Sequence, residues 1–236
     1  MELTPEDKMR YARQIAVPEI NREGQLRLKD SKVFIIGGGA LGSMVAMQLA
    51  GAGVGKLGLA DYDRIDISNL QRQYFFETSE AGKYKVEILA ERIRALNPEI
   101  ETETFNELIT AKKAAIYFQK YDFIVDATDN PDSKRMTGDL CKQYGKACCI
   151  GGVRDFNGQI MTFLPDDPRF EDYFGEASGD GFLPCSLGGV IGPAAVFCAS
   201  IQAAETIKYI IGKGELLSGN ILIFSLLNNT FQTFRL

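Results

Sequence analysis

The sequence contains no histidine and no tryptophan. Without imidazole, a Ser-His-Asp triad, a histidine general base and a histidine-containing zinc site are all excluded. Cysteine is sparse: Cys141, Cys148, Cys149, Cys185 and Cys198, no two in Cys-x-x-Cys spacing. That spacing argues against a zinc ribbon or a thioredoxin-type site. The odd count suits a reducing cytosol better than a disulfide scaffold, so a cytoplasmic location is expected. No basic tract stands out, and the net charge of −5 over 236 residues offers no surface for coating nucleic acid. The N-terminus has no apolar signal-peptide core. The one long uncharged run, Leu183 to Ala204, is long enough to span a bilayer. It contains Gly188, Gly189, Gly192 and Pro193 in its first half, with Ser186, Ser200 and Gln202 besides, and passes directly into Glu205 and Lys208. It reads as a loop and then a helix from about Pro193, buried in a soluble core and not in a membrane. Chemistry must therefore come from Asp, Glu, Lys, Arg, Cys, backbone N–H groups and borrowed ions.

The 45% hydrophobic share is ordinary for a globular core. Thr4-Pro5-Glu6-Asp7 places a cap before proline, so helices are expected over residues 5–30. Lys32 to Ile36 is a short run of β-formers, a buried strand. A helix follows to about Gly51, marked by Leu41, Val45 and Leu49, and Leu57 to Asp61 is a second strand. Such strand–helix–strand units make a parallel sheet. Val86, Leu89, Ala90, Ile93 and Leu96 mark an amphipathic helix over Gly82–Leu96, stopped at Asn97-Pro98. Strands are expected at Glu101–Phe105, Phe123–Asp126 and Ala147–Ile150, with helices over 110–119 and Pro131–Tyr144. The pattern then changes. Gly158–Leu164 and Ile221–Arg235, the latter around a turn at Asn228-Asn229, point to antiparallel pairing. The fold class expected is α/β: one continuous central sheet flanked by helices, a Rossmann-like parallel half continuing into a mixed or antiparallel half. One domain spans 1–236, with N-terminal helices over 1–30, a nucleotide-binding half over 31–150, and an antiparallel half over 151–236. Within the last, 165–184 has no period and reads as a long mobile loop.

Gly37-x-Gly39-x-x-Gly42 closes the first strand and opens a helix. Glycines there allow a tight turn and close backbone approach, and the helix N-terminus offers free N–H groups to phosphate. Asp61 closes the next strand, where a carboxylate can accept two ribose hydroxyls. By themselves these features favour an adenine nucleotide, a dinucleotide such as NAD first among them. The next segment, Ser68-Asn69-Leu70-Gln71-Arg72-Gln73, changes the balance. A nicotinamide site has no use for it, whereas Arg72 can fork onto phosphate oxygens and Asn69 can donate an amide N–H. Lys85 begins the following helix, where its ammonium can reach the same phosphates.

Together the segments resemble the ThiF, MoeB and HesA type of sulfur-carrier adenylyltransferase, relatives of the ubiquitin-activating enzymes. The matching stretches are Arg10-Tyr-Ala-Arg13-Gln14, Gly37 to Gly42, Asp61-x-Asp63, Ser68 to Gln73, Gly82-x-x-Lys85, Asp126-Ala-Thr-Asp129-Asn130, Gly189 to Pro193 and Gln202 to Glu205. They cover nearly the whole chain. The resemblance implies that the terminal carboxylate of a ubiquitin-like sulfur carrier ending in Gly-Gly attacks the α-phosphate of Mg-ATP, giving an acyl-adenylate and pyrophosphate ahead of thiocarboxylate formation. It places Gly37, Gly39, Ala40 and Gly42 under the phosphates and Asp61, with Asp63, at the ribose. Asn69, Arg72 and Lys85 would grip the triphosphate, with Ser68, Leu70 and Gln71 as further nucleotide-binding positions. Asp129 would hold Mg2+, Asn130 would line the adenosine side, and Arg13 would act across a homodimer on the neighbouring subunit's phosphates. Asp126, on an apolar strand, reads as structural, ordering its turn through backbone N–H groups.

Relatives of this kind usually carry two Cys-x-x-Cys pairs that bind zinc. Residues 165–174 hold no cysteine and the sequence ends at Leu236, so no zinc is expected, and Phe224, Phe231 and Phe234 are expected to stabilise the antiparallel half. Cys185 stands where some ThiF members form an acyl-persulfide with the carrier, given nearby positive charge to lower its pKa. Cys141, Cys148, Cys149 and Cys198 lie on apolar elements and read as core. The thiamine type is favoured over the molybdopterin type because of Cys185 and the short chain. Readings of other classes are a nicotinamide oxidoreductase, for which no hydride-transfer pair is found, and a non-catalytic scaffold, which would leave gaps among Arg13, Asp61, Asn69, Arg72, Lys85 and Asp129. None is missing. A relative acting on tRNA or a peptide is disfavoured in the first case by the acidity.

Overall fold

The computed structural model describes residues 2–174 and 188–236. An eight-stranded sheet runs through it in the order β3-β2-β1-β4-β5-β6-β7-β8. Strands β1 (Lys32–Ile36), β2 (Lys56–Ala60), β3 (Glu101–Phe105), β4 (Phe123–Asp126) and β5 (Ala147–Arg154) are parallel. β6 (Asn157–Phe163), β7 (Asn220–Ser225) and β8 (Thr230–Arg235) continue antiparallel. This is the expected architecture, with one boundary sharpened: Ile221–Arg235 is a hairpin, and its turn residue Asn229 has φ 51°.

Alternation along the strands feeds two cores. Val33 and Ile35 of β1 meet α3 (Asn21–Asp30), α4 (Ala40–Ala52), α5 (Lys85–Leu96) and α9 (Gly192–Ile211) through Leu28, Val45, Leu89 and Ala199. Phe34 and Ile36 point the other way, onto Ala114 of α6 (Ala111–Tyr117), Cys141 of α7 (Pro131–Gln143) and Phe170 of α8 (Phe170–Phe174). Both faces are apolar because helices cover both faces of a parallel sheet. Among the described residues, α9 is the one helix long and apolar enough to cross a bilayer. It instead lies against α4 and β5, with Gln202, Glu205 and Thr206 buried inside the fold.

The N-terminal segment is helical as expected, in three pieces: α1 (Pro5–Arg10), α2 (Ala12–Ile15) and then α3. Thr4 and Asp7 form a capping box on α1. The segment is tied down by polar contacts. Asn97 Nδ2 donates to Tyr11 Oη at 2.7 Å and to the Ala50 carbonyl at 3.0 Å. Gln14 Nε2 donates to Gln25 Oε1 at 2.6 Å and the Ala52 carbonyl at 2.8 Å.

Two expectations are corrected in the antiparallel half. The 165–184 stretch is not wholly irregular: it contains α8, whose Phe170 packs on Phe163 at 5.9 Å between ring centroids. Its remainder, 175–184, lies outside the described residues. Of the three phenylalanines expected to stabilise this half, Phe224 is core, but Phe231 and Phe234 are 52% and 47% exposed. The reason is position. β8 is the outermost strand and all six of its residues are exposed, so among the described residues only Phe231 finds an aromatic partner there, Phe197 at 5.4 Å.

Candidate functional site

Strand order reverses between β1 and β4, and open α/β sheets place their ligand crevice at such a switch point, beyond the carboxyl ends of the strands. A cavity of about 700 Å3 lies there. Its floor is the turn after β1. Gly37 has φ +92°, and a Cβ on Gly42 would sit 1.7 Å from the Gly37 carbonyl oxygen, so α4 can start against the strand only with glycine at that position. Gly39 is the N-cap of α4 and has no side chain to satisfy the first amides, which leaves them for a ligand anion.

Asp61 follows β2. Its carboxylate accepts from the Gly38 and Asp63 amides at 2.7 and 2.8 Å. Burial pushes its carboxyl above the usual carboxylate range, opposed by the nearby Lys85 ammonium and the two amide donors. Lys85, the first residue of α5, has a side chain only 5% exposed, and its Nζ donates to Asp63 Oδ2 at 3.0 Å. A 3-10 turn over Ile67–Asn69, capped by Asp66, brings Asn69, Gln71 and Arg72 to the cavity wall. Arg72 Nη1 donates to the Ser68 carbonyl at 3.0 Å, which fixes the guanidinium without neutralising it. Beyond β4, Asp129 and Asn130 sit exposed at the rim, and Asn130 caps α7 by accepting from the Asp132 amide at 2.9 Å.

The ThiF family pattern matches residues 11–236. The chain belongs to the ThiF family. It is 35% identical over 234 residues to a probable molybdopterin-synthase adenylyltransferase of Porphyra purpurea, covering 98% of this chain and 61% of that one. It is 33% identical over 239 residues to a sulfur carrier protein adenylyltransferase of Thermus thermophilus, covering 98% and 88%. The chain thus spans about 60% of the length of several curated relatives it matches. Among crystal structures, PaaA superposes with a TM-score of 0.83 at 26% identity, covering 99% of this chain and 74% of that one. E. coli MccB with ATP superposes at 0.82 and 23% identity, covering 96% and 71%.

In this ThiF-family chain the cavity collects most of the residues named from sequence: Gly37, Gly39, Ala40, Asp61, Asp63, Asn69, Gln71, Arg72, Lys85, Asp129 and Asn130. It does not collect Gly42, which faces Gly37, nor Ser68, whose hydroxyl donates to Asp66 at 2.6 Å, nor Leu70, which packs on the core. Arg13 is exposed on α2 and does not line the cavity of its own chain. Cys185 lies outside the described residues. Cys141, Cys148, Cys149 and Cys198 are buried, as expected. The Cys141 thiol beside it, together with burial, pushes the Cys148 thiol well up, and burial does the same to Cys149, so neither is a nucleophile at neutral pH. Asp126 is buried and accepts from the Thr128 amide at 3.0 Å, the structural role read from its strand.

Sequence reasoning missed three parts of the wall. Gln73 is buried in it, beside Gly39, with no partner for its Oε1 among the described residues. It ends the Ser68–Gln73 motif, so its type was visible but its direction was not. Ile36, Ala60, Leu108, Ile109 and Met136 line the cavity and supply it with apolar surface. Leu108 and Ile109 belong to a stretch with no motif. Val153 and Gly188 to Val190 complete the lining from the antiparallel half.

Proposed function

We propose that this cavity binds Mg-ATP and that the protein adenylylates the C-terminal carboxylate of a ubiquitin-like sulfur carrier ending in Gly-Gly. The observation that carries this reading is the convergence in one cavity of a bare helix N-terminus, a ribose-type acid, two cations and a rim carboxylate. The apolar side chains and Asp61 suit adenosine. The amides at Gly39 and Ala40, with Asn69, Arg72 and Lys85, suit a triphosphate. The Thermus relative's name, which applies to a chain covered over 88% of its length, supports the activity.

The reaction needs no base. A chain-terminal carboxylate has a pKa near ~3.5 and is already ionised at neutral pH. Its oxygen bonds to the α-phosphorus, the bond from that phosphorus to the bridging oxygen breaks, and pyrophosphate leaves with the electron pair. The protein aligns the attack and stabilises developing charge through Arg72, Lys85 and the α4 amides. Mg2+ ordinarily binds through one or two carboxylates plus substrate phosphates. Asp129, a single carboxylate at the rim, fits that donor set, and the ion there would screen phosphate charge.

The lining at Gly188–Val190 opens the cavity toward the antiparallel half, so a carrier tail would enter from that side. The exposed residues Ile223 and Phe234, on one face of β7 and β8, would then receive the carrier's body. A cytoplasmic homodimer, with Arg13 reaching the neighbouring cavity, completes the reading. Cys185 favours the thiamine type, with the molybdopterin type as the alternative. The test is ATP–pyrophosphate exchange with each candidate Gly-Gly carrier in turn. Exchange should require one carrier and be abolished in Arg72→Ala, which among the described residues loses one side-chain hydrogen bond and should stay folded. Near-normal exchange in folded Arg72→Ala would sink the assignment.

A further inference from the structure

Beneath the rim lies a buried cluster that the proposed reaction does not use directly. Asp126, at the end of β4, is fully buried. Its Oδ1 accepts from Thr128 N at 3.0 Å, Thr128 Oγ1 at 2.7 Å and Lys134 Nζ at 3.3 Å. Its Oδ2 accepts from Ser133 Oγ at 3.2 Å and Thr137 Oγ1 at 2.8 Å. Lys134, on the first turn of α7, is 4% exposed. Besides Asp126, its ammonium donates to the Thr128 carbonyl and to the Gly151 carbonyl, the latter at 2.7 Å. All three ammonium donors are therefore spent. Thr128 is gripped through its amide, hydroxyl and carbonyl, and the next residue is Asp129.

A buried ion pair of this type is a poor source of net stability, because desolvation cancels most of the attraction. What it does supply is one geometry. We propose that Lys134 is a positioning residue. Its ammonium staples the turn carrying Asp129 and Asn130 to β5, and so fixes the rim carboxylate where the nucleotide's cation binds. Lys134 is absent from the cavity lining, whereas Thr128, Asp129, Asn130 and Ser133 all belong to it. The inference rests on reading the cavity as a Mg-ATP site.

The test uses the full chain. ATP affinity is measured by calorimetry with and without Mg2+ for the unmodified protein, Lys134→Arg, and the charge-balanced Asp126→Asn/Lys134→Met. Amide hydrogen exchange at residues 127–130 is followed in parallel. The double variant should bind ATP without Mg2+ as the unmodified protein does. Its gain from Mg2+ should fall about 10–100-fold, the range for residues that orient a metal ligand, and its rim amides should exchange faster. Lys134→Arg, which keeps a buried cation, should recover most of both. An unchanged Mg2+ dependence in the double variant overturns the proposal, as does an equal loss with and without Mg2+, the mark of a purely structural role. So does free-loop exchange at the Thr128 amide of the unmodified protein, whether or not the variants fold. If the unmodified protein binds no ATP at all, the nucleotide reading fails, while the exchange measurement still reports on the staple.

Discussion

Lys85→Met separates stability from chemistry at this site. The Lys85 side chain is 5% exposed, but its partner Asp63 is 51% exposed. Removing the ammonium leaves Asp63 in contact with water, so that pair behaves energetically like a surface ion pair, worth about 0–1 kcal/mol, while Asp61 loses the charge that opposes its upward shift and takes up a proton more readily. Methionine refills the volume of the buried stem and removes the cost of desolvating an ammonium. The net change should lie within about 1 kcal/mol, which for a chain of this size moves Tm by about 2–4 °C. The loss at the reaction is larger. A preorganised donor aimed at charge that develops in the transition state is worth about 2.7–4 kcal/mol, or about 10²–10³ in rate. Thermal unfolding and carrier-dependent ATP–pyrophosphate exchange, measured on one preparation, give both numbers. Exchange within about threefold of the parent, or a fall in stability of several kcal/mol, would refute the reasoning. Lys134 supplies the contrast, because its partner Asp126 is fully buried. Lys134→Met alone would strand an uncompensated charge at a cost of about 3–5 kcal/mol.

Two glycines of α4 should respond in opposite directions to alanine. Gly42→Ala forces a methyl to 1.7 Å from the Gly37 oxygen and should destabilise by at least about 1–3 kcal/mol, whereas Gly51→Ala meets nothing closer than 4.0 Å and should stabilise by about 0.5–1 kcal/mol. Denaturant midpoints check both, and equal effects would contradict the packing at the turn. Asp7 supplies a pH prediction. Burial raises its carboxyl, but Lys29 and the Thr4 amide and hydroxyl outweigh that and hold it below 3.8. Its stabilisation of α1 is therefore complete above the unfolded value and is lost as pH falls through the lower folded one. Proteolysis at the N-terminus should rise in that acid window, and an Asp7→Asn variant that still shows the step would contradict the assignment.

The parallel half was legible because its signals are backbone signals. Gly37 and Gly42 are dictated by a turn and a close approach that no other residue can make, and Asp61 and Asp126 mark strand ends. What lay outside local pattern was missed. Gln73 was inside a quoted motif, yet only tertiary packing turns it into the cavity and turns Leu70 away from it. Ile109 reaches the wall because β3 lies beside β2, which no spacing in the chain encodes. Phe231 and Phe234, three apart on β8, fall on opposite faces of the strand and look like core residues by type alone. They are exposed because β8 is an edge, and period alone does not distinguish an edge strand from a central one.

The electrostatics of the cavity bear on the proposed role of Arg13. Among the described residues its lining carries Asp61, Asp63, Glu107, Asp129 and Asp132 against only Arg72 and Lys85. A surplus of acids is a poor host for a triphosphate, so counter-charge has to arrive with the nucleotide or from another chain. Arg13 is exposed on α2, and α2 is locked in place through Gln14 and the neighbouring Tyr11. It cannot be counted in its own cavity, but in the proposed homodimer it is available to the neighbouring one. That arrangement has a signature which single variants lack. Arg13→Ala and Arg72→Ala should each be inactive alone. In a mixed dimer, the cavity of the Arg13→Ala chain keeps its own Arg72 and receives Arg13 from its companion, while the other cavity lacks both. Random reassociation of equal amounts gives half mixed dimers, each with one intact site, so about a quarter of parental exchange activity should return. Activity that stays at zero after verified subunit exchange would refute action of Arg13 across the interface, and parental activity of Arg13→Ala alone would place it outside the reaction.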